Sequence, residues 1–113
     1  MTGTETPSEQ ITLEVTSWPG VTAGSGRRGE FAFKVGGHEI GHLHADHAAH
    51  FMFPKELGAS LKKQGRVIDH PVFPGKPGPS ARRITSQTDV HDVVELMRLN
   101  YDRIVARYSV PAG

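Results

Sequence analysis

Seven histidines stand in a chain of 113 residues, and five of them, His38, His42, His44, His47 and His50, fall within thirteen positions. Imidazole is the side chain that accepts and returns protons near neutral pH, and the neutral ring is also a common metal ligand. His38-Glu39-Ile40-Gly41-His42 matches H-E-x-x-H letter for letter. The zinc-protease chemistry of that motif requires a helix, where residues four apart share a face. Here the motif follows Gly36-Gly37, contains Gly41 and adjoins an alternating Phe-rich run, so it reads as a strand. A strand would hold His38 and His42 about 13 Å apart, too far for one ion. His42-Leu43-His44 is the better signal, because residues two apart on a strand project from the same face roughly 6.6 Å apart. If Ala45-Asp46 is a two-residue turn, His47 pairs with His44 and completes a trio suited to a divalent metal. On that register His50 falls on the opposite face, and His91 lies on the polar side of the last helix. The metal-ligand set expected is therefore His42, His44 and His47. The metal-free expectation is general acid–base catalysis by the same face.

Other residues set limits on the chemistry. With no cysteine, thiol nucleophiles, disulfides and Cys-ligated zinc are excluded. No Gly-rich loop is followed by Lys-Ser/Thr, so no phosphate-bearing organic cofactor is expected. Asp69-His70 immediately precedes a Pro- and Gly-rich stretch where a pocket wall is expected, which makes His70 a further site candidate. Glu39 is expected across from Lys34 as a surface ion pair, on the face away from the histidines. Arg27-Arg28, Lys62-Lys63-Arg66 and Arg82-Arg83 are basic clusters, but the formal net charge is only +1, so nucleic acid is not an expected partner. No apolar run approaches the roughly 20 residues of a membrane span, and the start lacks a signal-peptide pattern. A cytoplasmic protein with a small-molecule substrate and no membrane partner is the expectation.

The elements that position these residues are legible from periodicity. Residues 1–10 read as a flexible tail, 11–108 as one domain and 109–113 as a second tail. Ile11, Leu13 and Val15 suit either a short strand or the last turns of a small helix. A brief strand follows at Val21–Ser25. Phe31, Phe33 and Val35 alternate before a Gly36-Gly37 hairpin turn. His38–His44 returns with Val35 facing His38, Phe33 facing Ile40 and Phe31 facing His42. A third strand spans His47–Phe53. Pro54 opens a helix that Gly65 closes, with Leu57 and Leu61 on its buried stripe. Val67–His70 and Ser80–Ile84 read as short strands flanking the constrained loop. Val90, Val93, Val94, Met97, Tyr101, Ile104, Val105 and Tyr108 mark a long last helix, entered through Ser86 and Asp89. The fold class is α+β: an antiparallel meander covered by a long C-terminal helix and a shorter middle one.

Pro19-Gly20-Val21, Gly29-Glu30-Phe31 to Gly36-Gly37, Glu39-Ile40-Gly41-His42-Leu43-His44, Phe53-Pro54, Gly65-Arg66, Asp69-His70 and Val94 to Tyr101 together resemble the luciferase-domain family of bacteria and fungi. The resemblance runs over roughly residues 11–108, and its Glu-Ile-Gly-His-Leu-His core is specific. It implies a pocket lined by His42, His44 and His70. The fungal member oxidises a hydroxylated styryl-pyrone with O₂ without an organic cofactor. By implication this chain is a cofactor-independent oxygenase, cyclase or isomerase of an aromatic or polyketide-like metabolite. Where members read Pro-x-Ser-Gly-Trp, this chain has Pro74 to Ser80 with no Trp, and His50 replaces a common acidic residue. The element order also resembles YjbR-type domains, which implies a non-catalytic binding module for nucleic acid or protein as the alternative.

Overall fold

The computed structural model describes residues 5–26 and 30–108, so the outermost tail residues and the Arg27-Arg28 pair lie outside the described residues. Among the described residues nine elements follow in order: α1 (Pro7–Thr16), β1 (Val21–Ser25), β2 (Phe31–Val35), β3 (His38–His44), β4 (Ala48–Met52), α2 (Lys55–Lys63), β5 (Ile68–Asp69), β6 (Pro79–Arg83) and α3 (Gln87–Tyr108). The strands form one sheet in the order β1-β2-β3-β4-β6-β5, and every neighbouring pair is antiparallel. This is the expected α+β arrangement.

Helix α1 starts earlier than composition suggests. The Thr6 hydroxyl accepts from the Glu9 amide at 3.2 Å while the Glu9 carboxylate accepts from the Thr6 amide at 2.9 Å, a reciprocal cap that satisfies two free donors. Pro7 fits the first turn, where no amide hydrogen is needed. Ile11 and Val15, four apart, are buried, whereas Leu13 is exposed. The segment is therefore helical rather than a strand.

One face of the sheet carries the core. Phe33, Val35, Ile40, Leu43, Ala49 and Phe51 meet Val93, Leu96, Met97, Tyr101 and Ile104 of α3, with Ile11 and Val15 of α1 beside them. Helix α1 thus joins α3 in covering the sheet, while α2 packs chiefly toward β6. Gly41 is needed on this face: a Cβ there would stand 2.8 Å from Met97 Sδ and 3.0 Å from Phe51 Cδ1.

Two local irregularities change the register from the one expected. Val35 pairs with His38 and Lys34 with Glu39, but Phe33 then pairs with Gly41 and Phe31 with Leu43, leaving Ile40 as an extra residue in β3. Such a bulge restores the apolar alternation on the core side, since Ile40 and Leu43 both point inward. The backbone carbonyl of Ile40 accepts from the buried Asn100 Nδ2 at 2.8 Å. The second irregularity is the β3–β4 turn. His44 pairs with Ala48, so Ala45, Asp46 and His47 form a three-residue connection in place of a two-residue one. Ala45 takes a positive φ of 50°, and Asp46 accepts from the Ser8 amide at the start of α1.

Candidate functional site: a histidine face

The turn decides which histidines meet. With three residues in the loop, His50 lies directly across from His42, and His47 stays exposed in the turn. The trio on the sheet face is His42, His44 and His50, not the expected His42, His44 and His47. A one-residue change in pairing moves every following side chain to the other face, which accounts for both differences. His38 stacks on Tyr108 at 3.9 Å between centroids, and His91 is exposed on α3.

The four imidazoles of the cluster touch. Ring centroids are 5.1 Å apart for His42 and His44, 5.2 Å for His42 and His50, 4.2 Å for His44 and His50, and 4.3 Å for His50 and His70. His50 is thus the hub. It is only 7% exposed, and its Nδ1 is buried with no hydrogen-bond partner among the described residues. Leaving such an atom unpaired costs about 1–3 kcal/mol, which marks the position as one suited to a bound partner. His70 is buried, and its Nδ1 accepts from the Val72 amide at 3.1 Å. The neutral His70 ring therefore carries its proton on Nε2.

Glu39 departs from expectation in its face but not in its register. It pairs with Lys34, yet the bulge brings its carboxylate onto the histidine face, where Oε2 lies 2.8 Å from His42 Nδ1. The carboxylate accepts, so His42 keeps a proton on Nδ1 and turns a free Nε2 toward other partners. The H-E-x-x-H letters therefore describe a strand-borne carboxylate–histidine pair three residues apart.

Burial lowers the basicity of three rings. His50 is pushed down to about 4 by desolvation first and then by repulsion from His44, His70 and His42. Desolvation also lowers His44, with His42 adding to the effect and Glu30 opposing it. His70 is lowered by desolvation and then by His42, His44 and Lys62. All three rings are neutral at pH 7, ready to accept protons or coordinate a cation.

Small residues leave room around the cluster. The cross-strand row runs Gly24, Ala32, His42, His50, Ala81 and Ile68. Beside His42, a polar cavity of about 300 Å³ is lined by Gly24, Ala32, Lys34 and Glu39 among others. On the other side stand the exposed Met52, Ile68 and Phe73, with the Phe73 ring 5.2 Å from His70. Lys62 secures this wall, donating to the carbonyls of Lys76 and Pro79 and pairing with Asp69 at 3.1 Å. A larger cavity of about 660 Å³ lies between α1 and the sheet, lined by Leu13, Phe31, Leu43 and Ala45, and contains no histidine.

Of the residues expected from the sequence, the structure brings His42, His44 and His70 together and leaves His47 apart, and it adds His50 to the cluster, Glu39 as the partner of His42 and Asn100 beneath the bulge. The signal for Asn100 was present, because an amide at that position interrupts the apolar steps from Val93 through Met97 to Ile104.

Fold and site together define an α+β domain that carries a histidine cluster on the sheet face opposite its core. The luciferase domain family matches residues 37–100, more than half of the chain and including every histidine of the cluster, and the protein belongs to that family. Neither a curated protein nor a solved structure matches the chain. Among the described residues, no helix is long and apolar enough to cross a membrane.

Proposed function

We propose that the protein is an enzyme acting on an aromatic or polyketide-like small molecule at the histidine face. The observation that carries this reading is the contact of His42, His44, His50 and His70 on an open sheet face, with three of the rings held neutral. A planar substrate lies against Met52, Ile68 and Phe73, its acidic C–H or enol O–H directed at His42 and His44. The proton passes to an imidazole nitrogen and the electron pair stays on the substrate as an enolate. The enolate then reduces O₂ with formation of a C–O bond, or closes a ring or isomerises without any oxidant. His70, with its proton on Nε2, serves as the donor that quenches charge on the product. Membership of the luciferase domain family supports the oxygenation branch.

Two arginines of the basic clusters are engaged within the chain. Arg82 binds Asp89 at 2.5 Å and Asp92 at 2.7 Å, and Arg66 pairs with Glu95 at 3.4 Å. This weighs against the binding-module alternative.

The test is a screen of hydroxylated pyrones and phenols for consumption by the full chain, with and without O₂. Turnover of a hit is expected to fall at least about 100-fold in His42→Ala and His44→Ala, the range of a lost general base. Folded variants that retain full turnover would refute the assignment.

A further inference from the structure

We infer that the histidine face binds one divalent transition-metal ion through His42, His44 and His50, with Glu39 orienting His42 from the outer shell. This deepens the proposed function and rests on its reading of the face as the reaction site. Bound to the ion, His42, His44 and His50 take no proton themselves; the ion acidifies the substrate's enol or phenol O–H and that proton passes to solvent water.

His42 and His44 are two apart on β3, and His50 sits across from His42 on β4, so three rings converge from the corners of one triangle. One nitrogen from each lies within 4.8 Å of the others. Ligands of a tetrahedral ion at about 2.1 Å are roughly 3.4 Å apart, a gap that small ring rotations close. The unpartnered, buried His50 Nδ1 is a second and independent sign of a missing ligand at this place. Third, metal-bound histidines characteristically donate their other ring N–H to a carboxylate, and Glu39 holds His42 Nδ1 in that way at 2.8 Å. His70 is outside the set because its Nδ1 is already taken by the Val72 amide.

Chemistry narrows the ion. Three neutral imidazoles with neither thiolate nor carboxylate in the inner set favour zinc, iron(II), cobalt(II), nickel or copper over magnesium or calcium. Three protein ligands leave a position for an exchangeable oxygen ligand, the arrangement of catalytic rather than structural sites. An ion so placed lowers the pKa of a bound enol, phenol or water, the task that the proposed reaction sets.

The experiment uses the full chain without a histidine tag, stripped with EDTA and titrated with Co²⁺ alone. Visible absorption and calorimetry are read together, and Zn²⁺ is then added as competitor. One Co²⁺ per chain is expected, displaced by Zn²⁺. Glu39→Gln is expected to weaken binding roughly 10- to 100-fold, with His42→Ala and His44→Ala weaker still. His47→Ala and His91→Ala should bind as the parent does. His44 is half-buried at the end of its strand, so its variant keeps the test open if His50→Ala does not fold. No saturable binding by the folded parent overturns the inference, as does undiminished binding by folded His44→Ala. A loss in His47→Ala equal to that in His44→Ala overturns the assigned ligand set. Turnover separates this inference from the reading beneath it. Co²⁺ binding with no His42-dependent turnover of any screened substrate leaves the metal site and sinks the enzyme. His42-dependent turnover by a chain that binds no metal does the reverse.

Discussion

Acidifying the metal-free protein should destabilise it in a window set by the histidines rather than by the carboxylates. His50 titrates near 6.5 when unfolded and is pushed down to about 4 in the fold by burial among His44, His70 and His42. Between those values the unfolded chain binds the extra proton, so stability falls as pH falls. His50's contribution is fully present above about pH 6.5 and is lost progressively down to about pH 4, below which it changes no further. One proton across this span is worth at most about 3 kcal/mol, and relaxation around the protonated ring reduces that to about 2 kcal/mol by pH 4.5. His44 and His70 are lowered by the same cause and steepen the fall. The groups facing the cluster, Glu39, Glu30, Lys34 and Lys62, are not expected to reverse the sign, because desolvation is the largest cause for each lowered ring. Urea unfolding at pH 7.5, 6.5, 5.5 and 4.5 in EDTA measures the slope, and His50→Gln, which cannot titrate, should flatten it. Asp89, held down to about 2 by hydrogen bonds from Thr85 and by Arg82, loses its stabilising effect only at more acid pH, so the two windows separate. Stability that is flat from pH 7.5 to 4.5, or a slope unchanged in His50→Gln, would show that His50 does not set this window.

Three further predictions concern the supports of the site. Asn100→Leu removes the donor to the Ile40 carbonyl and should cost about 2 kcal/mol in chemical denaturation, with a weaker Co²⁺ affinity because Glu39 loses its placement. Gly58→Ala should destabilise by about 1–3 kcal/mol despite the better helix former, since a Cβ there would lie 2.2 Å from the Pro77 carbonyl; a gain in melting temperature would contradict the packing. Arg82→Met leaves Asp92 and one oxygen of Asp89 without their guanidinium partner at the entry to α3 and releases the Arg66 carbonyl, so a loss of about 1–2 kcal/mol is expected, and a change within about 0.5 kcal/mol would show the network to be worth no more than an exposed ion pair.

Periodicity carried much of the fold. Alternation in Phe31–Val35 and the three- and four-residue steps of α3 are driven by burial, and burial on one face leaves a repeating trace in the letters. Pro54 and Gly65 bounded α2 closely because each has a fixed backbone consequence, and Gly65 indeed adopts a φ of 75°. The Thr6–Glu9 cap carried the same kind of local signal, but the polar composition around it left strand and helix both open for Ile11 to Val15 and hid that the helix begins at Pro7. The parts that were not legible are those where one residue more or less decides the outcome. Nothing in Ala45-Asp46-His47 distinguishes a two-residue from a three-residue turn, because Ala45 takes the left-handed conformation without being Gly or Asn.

That single residue selects between two ligand sets with different physical meaning. A site using His47 would sit on an exposed turn, with a ring free to reorient and nothing behind it. The site using His50 places its hub at mid-strand, 7% exposed and fixed by neighbours on both sides. The Ile40 bulge acts in concert with the turn. Without it strict alternation would direct Glu39 away from the imidazoles, and His42 would lose the carboxylate that sets its tautomer. The bulge is in turn held from the opposite face of the sheet by Asn100, so a residue within the core stripe of α3 supports the backbone that presents Glu39 to His42. This coupling explains why the sheet tolerates a polar amide in its core. The amide satisfies a backbone carbonyl exposed by an irregularity that the site requires.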